Sequence, residues 1–299
     1  MKKITVLITA VMLILSGCAQ PKNADGKISI VCTVFPQYDW VRELISGTED
    51  KYELTLLTEK GVDIHSYQPS ADDIIKINTS NLIIYTGGES DKWIKDYTKG
   101  INKSVDMLDI VGSDALYDNE EKETDEHTWL SLSNAEKICE KITEALISLD
   151  PENEALYKAN EENYDAELDK LDAEYERAAE SAVYKTVVVA DRFPFRYLFD
   201  EYNIEHFAAF PGCSAETEAS FETVKLLSEK AESVPAVIVT DNGNEKLAKT
   251  VISNTSDKEK PIISLNSMQS VKREDIDGGV TYLSVMKDNL AALKKALGE

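Results

Sequence analysis

From Pro151 to Ala182 the chain has no glycine and no internal proline. Its apolar residues Tyr157, Tyr164, Leu168, Leu171, Tyr175 and Ala178 step by seven, four, three, four and three. Such steps keep one face of an α-helix. The run predicts a single helix of roughly thirty residues, about 45 Å long at 1.5 Å per residue. Its apolar stripe is narrow and its other faces are charged. It reads as a spine between two units rather than as a core of its own.

On both sides of this spine, short apolar runs alternate with segments of helical period. Before it, strands are expected at 28–35, 52–58, 81–87 and 104–110, and helices at 37–46, 71–80, 90–100 and 133–150. After it, strands are expected at 185–190, 205–210, 236–241 and 261–265, and helices at 195–202, 218–233, 244–255 and 282–297. Short strands alternating with helices indicate parallel β-α-β units. The fold expected is α/β: two Rossmann-like lobes, residues 28–150 and 184–299, joined by one long helix over 151–183. A ligand is expected in the crevice between the lobes, at the carboxyl ends of the strands.

The first residues read as a leader. Lys2 and Lys3 precede an apolar stretch from Ile4 to Leu15. That stretch has the length of a signal peptide and is too short to span a bilayer as a mature helix. Leu15-Ser16-Gly17-Cys18 follows and resembles a bacterial lipobox, in which cleavage before the cysteine leaves that cysteine to carry the lipid. Residues 1–17 are then the signal peptide, Cys18 the lipidation site, and 18–27 a polar tether. The expected location is the extracytoplasmic face of the cell membrane.

Three histidines and fifty-five carboxylates sit in a chain of net charge −23, or −25 once Lys2 and Lys3 are gone. So acidic a surface argues against nucleic acid and against docking on anionic lipid, and favours cations nearby. Of the four cysteines, Cys32 and Cys139 lie in apolar strand-like and helix-like runs and read as buried free thiols. His65 lies in GVDIHSYQPSADDIIKI, on a loop between a strand and a helix. His127 lies in DEHTWLSLSNA, just before a helix. Two imidazoles from separate loops of one lobe are a start for a divalent metal site: neutral imidazole suits zinc, and carboxylates complete the shell. His206 begins a buried-looking strand and reads as structural.

GVDIHSYQPSADDIIKI, NLIIYTGGESDKW and DEHTWLSLSNA, in this order, resemble the zinc- and manganese-binding lipoproteins of bacterial ABC uptake systems. The similarity runs across nearly the whole mature chain, lipobox and long helix included. It implies a metal-type periplasmic binding protein fold, and it makes His65 and His127 metal ligands. The second lobe departs from the family pattern. Arg192, in DRFPFRYL, stands where zinc-binding members carry a third histidine, and arginine cannot ligate metal. In manganese-type members a glutamate of the next strand-to-helix loop ligates. Glu216 in GCSAETEAS is its match here, with Cys213 close enough to compete. The family's last ligand is often an aspartate before a serine; here the position is Asn266, and Asp241 is the substitute. Asp191 is a further possible oxygen ligand. Arg192 either pairs with crevice carboxylates such as Glu216 or Asp241, or fills the metal's place with its own charge.

The function implied is extracytoplasmic capture of a divalent metal, zinc with manganese as the alternative cargo, for delivery to an ABC permease. No catalysis is required, and the expected protein is a monomer held to the membrane by its lipid. One alternative is a metal-dependent hydrolase. It would need an open coordination position and a placed base, and the chain has no His-Glu-x-x-His and no nucleophile elbow. Another is a surface adhesin, or a relative whose metal site has degenerated at Arg192.

Overall fold

The structure is a computed structural model that describes residues 26–98, 104–116, 124–212, 218–241 and 243–299. The first half runs β1 (Ile28–Cys32), α1 (Phe35–Leu44), β2 (Tyr52–Leu56), α2 (Ala71–Thr79), β3 (Leu82–Tyr85), α3 (Ile94–Tyr97), β4 (Ser104–Asp106), α4 (Met107–Val111) and α5 (Leu132–Leu149). The long helix is α6 (Glu154–Ser181), 28 residues. The second half runs β5 (Thr186–Phe193), α7 (Arg196–Glu201), β6 (Glu205–Pro211), α8 (Phe221–Ala231), β7 (Val237–Thr240), α9 (Lys246–Ser253), β8 (Ile262–Leu265), α10 (Arg273–Asp277) and α11 (Tyr282–Ala296). Each half builds one four-stranded sheet, in the orders β2-β1-β3-β4 and β6-β5-β7-β8, with every pairing parallel. The α/β architecture with one long helix is thus the one the alternation predicts. Among the described residues no helix is long and apolar enough to cross a membrane.

Several boundaries move for local reasons. The run 28–35 does not stay a strand, because Gln37 Oε1 accepts the backbone N–H groups of Thr33 and Val34 at 2.8 and 3.2 Å and Pro36 stands in the first turn of α1. The run 104–110 is a strand only to Asp106. That side chain accepts the N–H of Asp109 at 3.2 Å and so opens α4. Strand β5 runs past 190 to Phe193, after a register shift between Val189 and Arg192, and this carries Arg192 to the carboxyl edge of its sheet.

One continuous apolar core includes residues of both sheets and the whole stripe of α6: Tyr157, Tyr164, Leu168, Leu171, Tyr175 and Ala178. Burying side chains of this size is worth about 1.5–3 kcal/mol each. The tyrosines also place their hydroxyls. Tyr157 donates to Asp150 at 2.7 Å and Tyr175 to the Met286 carbonyl at 2.6 Å. Cys32 and Cys139 are buried free thiols.

The halves are bonded directly as well. Trp129 Nε1 donates to the Ser267 carbonyl at 2.9 Å, and the Tyr282 hydroxyl to the Trp129 carbonyl at 2.7 Å. Glu201 accepts the N–H groups of Leu132 and Ser133, each at 3.1 Å, at the start of α5. That is where a helix dipole favours an anion.

Burial raises several carboxyls. Asp39 and Asp91 are pushed up to about 6, chiefly by loss of water. Burial, and then the neighbouring Asp169 and Asp165, push Glu136 up to about 7. A carboxyl raised in the fold binds its proton more tightly there than in the unfolded chain. Its contribution is therefore complete below the unfolded value near 4 and is lost as pH rises through 6 to 7. The chelator-stripped protein should resist urea better at pH 5 than at pH 8, with roughly 1 kcal/mol from each of Asp39 and Asp91. Urea unfolding at both pH values checks this; a lower midpoint at pH 5 would contradict it.

Candidate metal centre

His65 lies in a single 3-10 turn, Ile64–Ser66, that follows β2. Asp63 caps the turn by accepting the His65 N–H at 3.0 Å. His127 stands just before another such turn, Thr128–Leu130, which leads into α5. Its own N–H donates to Asp125 Oδ1 at 2.8 Å. Both histidines lie at the carboxyl ends of the first sheet's strands, the expected edge. His127 is fully buried against Trp129, with ring centroids 5.2 Å apart.

The two Nε2 atoms approach to 3.2 Å. Each ring is fixed by its other nitrogen. His127 Nδ1 lies 2.8 Å from Asp125 Oδ1, a carboxylate that can only accept, so Nδ1 carries the proton and Nε2 the lone pair. His65 Nδ1 lies 2.5 Å from the Ser90 hydroxyl, which can donate or accept. In one tautomer of His65 its Nε2–H points at His127 Nε2, beside the Gln269 amide, and Ser90 donates to His65 Nδ1. A cation between the rings requires the other tautomer of His65, which Ser90 serves by accepting. Ser90 is held in turn by Glu126 Oε1, which accepts its N–H at 2.9 Å. The neighbours Asp125 and Glu126 thus set both imidazoles.

Two tetrahedral zinc–nitrogen bonds of about 2.0–2.1 Å place their nitrogens roughly 3.3 Å apart. The observed spacing fits a cation bridging the pair. Two glycines make this packing possible. A Cβ on Gly88 would meet Glu126 Cδ at 2.3 Å, and one on Gly212 would meet the Phe193 carbonyl at 2.7 Å and His127 Cε1 at 3.1 Å.

The second lobe completes the surroundings. Arg192 Nη1 lies 3.5 Å from Asp63 Oδ2 across the crevice, so the carboxylate it meets is in the first lobe. Asp241 is drawn to Ser267, accepting from its N–H at 2.6 Å and its hydroxyl at 2.9 Å. Burial raises its carboxyl, although these hydrogen bonds oppose the shift. Asp191 accepts from the Thr240 N–H and hydroxyl at 3.2 and 2.7 Å, and from the Arg192 N–H at 2.8 Å. Asn266 turns its Oδ1 to the Met268 N–H at 2.8 Å. His206 stacks on Phe193 with centroids 4.1 Å apart, and burial, then Arg196, lower its pKa.

Sequence reasoning misses Gln269. Its Nε2 lies 2.9 Å from His127 Nε2 and 3.4 Å from Asp63 Oδ1. The only local hint is an amide three residues past Asn266. Cys18, Cys213 and Glu216 lie outside the described residues. Among the described residues no group of three His, Cys, Asp or Glu side chains could hold a metal ion. Of the candidate ligands among the described residues, His65 and His127 are the two whose side chains meet.

Comparison with known proteins places the chain in a family. The family model described as "Zinc-uptake complex component A periplasmic" matches residues 30–296. The zinc-binding lipoprotein AdcA of Streptococcus pneumoniae is 30% identical over 315 residues, covering 99% of this chain and 61% of AdcA. This chain therefore spans about three-fifths of that relative's length. The high-affinity zinc uptake system protein ZnuA of Bacillus subtilis is 27% identical, covering 97% of this chain and 96% of ZnuA. Among solved structures, the metal-dependent lipoprotein YcdH from Bacillus subtilis superposes with a TM-score of 0.76 at 28% identity. That match covers 91% of this chain and 99% of YcdH.

The tautomer argument yields a test. Asp125→Asn should cost roughly 10- to 100-fold in zinc affinity, because an amide can present its NH₂ to His127 Nδ1 and stabilise the wrong tautomer. Gly212→Ala should weaken zinc binding too, through its clash with His127 Cε1. Calorimetric titration of both variants against the parent chain measures each loss; undiminished affinity in Asp125→Asn would refute the role given to Asp125.

Proposed function

We propose that this chain, which belongs to the periplasmic zinc-uptake component A family, captures a divalent transition metal outside the cytoplasm and passes it to the permease of an ABC importer. Zinc is the cargo, with manganese as the weaker competitor. The family is one of transport substrate-binding proteins, not enzymes. The observation that carries the proposal is the His65–His127 pair: two imidazole nitrogens 3.2 Å apart, each ring locked from behind. Imidazole nitrogens favour zinc over manganese in the usual order of metal affinities.

The remaining donors come from the second lobe. Glu216 is the third ligand, Cys213 competes with it for the same position, and Asp241 supplies an oxygen once it turns from Ser267. Zinc favours four-coordinate tetrahedral sites with such N, O and S donors. Residues 28–150 and 184–299 act as two lobes on the spine 151–183. Cys18 carries the lipid, residues 18–27 are the tether, and the protein works as a monomer at the membrane face. Loading moves the lobes little, since α6 contains no glycine and hydrogen bonds cross the crevice from Trp129, Tyr282 and Glu201.

The deciding experiment is calorimetric titration of the chelator-stripped chain with zinc and with manganese, beside a His65→Ala, His127→Ala double variant. Tight 1:1 zinc binding in the parent chain and none in the variant is expected. Zinc at a thousandfold its Kd should then stabilise the parent chain by about 4 kcal/mol and leave the variant unmoved. Absence of both zinc and manganese binding to the parent chain would reject capture as the function. Separate Glu216→Gln and Cys213→Ser variants assign the third ligand: affinity drops in the one that ligates.

A further inference from the structure

Arg192 reaches the crevice from the end of β5, where the register shift after Val189 carries it to the carboxyl edge of its sheet. Two contacts place it against the histidines. Asp63 accepts the His65 N–H on Oδ1 at 3.0 Å and meets Arg192 Nη1 on Oδ2 at 3.5 Å. One carboxylate thus spans from the His65 backbone to the guanidinium. On the other side, a Cβ on Gly212 would meet both His127 Cε1 and the carbonyl of Phe193, the residue after Arg192. The end of β5 is pinned beside both histidines.

The guanidinium is balanced there in charge but not filled in geometry. It offers five N–H donors in a planar fork that matches a carboxylate bidentately, at about 2.7–2.9 Å. Asp63 does not make that match. Its Oδ1 is taken by the His65 N–H and by Gln269 Nε2, 3.4 Å away, which leaves Oδ2 for one long contact. Among the described residues Arg192 has no second ion-pair partner, and its side chain is 42% exposed. The carboxylates of Asp191 and Asp241 are turned to Thr240 and Ser267. Beside two imidazoles, then, the chain sets a carboxylate-binding fork. Such a fork cannot hold a cation, but it can hold an anion that itself holds a cation.

We propose that the cargo is a metal ion accompanied by a small α-amino or α-hydroxy acid. His65 and His127 hold the metal, the Arg192 fork binds a carboxylate of the acid, and the acid's remaining donors complete the metal's shell. The inference rests on the capture reading and narrows its substrate class. The acid brings the negative charge that a buried dication needs, and with the acid in place Asp241 keeps its two bonds to Ser267. Either partner alone leaves half of the recognition unmade.

The test uses the full chain loaded from zinc chloride and titrated calorimetrically with L-histidine and, separately, with citrate. Saturable 1:1 binding of at least one acid is expected, and native mass spectrometry should show chain, zinc and acid in one complex. Arg192→Gln should weaken acid binding roughly 10- to 100-fold, the range that hydrogen bonds to a charged group correspond to. Arg192→Lys keeps the charge without the fork and should recover only part of that loss. The mass measurement is made on the unmutated chain and stands even if a variant fails to fold. Zinc held alone with each acid present overturns the proposal and leaves capture standing. So does acid binding that is equal in Arg192→Gln, or equal in the chelator-stripped chain. A chain that binds no zinc, with or without acid, removes the capture reading for zinc and this inference with it.

Discussion

Two imidazole nitrogens cannot face each other at 3.2 Å with both lone pairs filled and nothing between them. A proton or a cation must lie in the gap, and much of the crevice is arranged around that requirement. Asp125 fixes the tautomer of His127, and the next residue, Glu126, fixes Ser90, which meets His65. Both carboxylates are buried, Asp125 completely, and burial raises the Glu126 carboxyl. Buried carboxylates are costly unless hydrogen-bonded. Here the backbone N–H groups of His127 and Ser90 supply bonds, and Gly88 and Gly212 leave the room in which these residues meet.

Asp125 also ties the site to the second lobe, through its backbone carbonyl and its carboxylate. The Tyr197 hydroxyl donates to the Asp125 carbonyl at 3.0 Å and accepts the Leu116 N–H at 3.1 Å. Arg196 Nε lies 3.9 Å from Asp125 Oδ2. Residues of α7 therefore brace the segment that aims His127. With Trp129, Tyr282 and Glu201 also bonding across, the crevice is a seam between packed halves.

How much of this was legible in the sequence follows the range of the interactions. Strands, helices and the spine declared themselves because hydrophobic period is a local signal. A strand followed by a turn places His65 at a sheet's carboxyl edge whatever lies opposite, whereas His127 comes after α4 and not directly after a strand, and the family resemblance is what makes the two a pair of candidate ligands. The end of β4 was missed because one side chain, Asp106, caps the next turn within an otherwise strand-like run. Gln269 and the Arg192–Asp63 contact were illegible for a different reason. Each joins residues more than a hundred positions apart, and the reach of Gln269 depends on Met268 adopting a positive φ that its residue type does not announce. Asn266 looked like the amide of the site, yet a short side chain next to a turn bonds its own backbone.

Arg192 at the crevice carries a consequence beyond the loss of a ligand. Its guanidinium is matched to Asp63, and these two charges largely cancel near the imidazoles. The imidazoles themselves are neutral when they ligate. A dication between them would carry its full charge into a buried place, and burying an unbalanced charge costs far more than any single hydrogen bond returns. The compensating donors must then be anionic. The proposed ones, Asp241 with Glu216 or the Cys213 thiolate, all belong to the second lobe, whereas both histidines belong to the first. The captured ion would be the electrostatic bond between the halves. The strength of the seam would then depend on whether cargo is aboard.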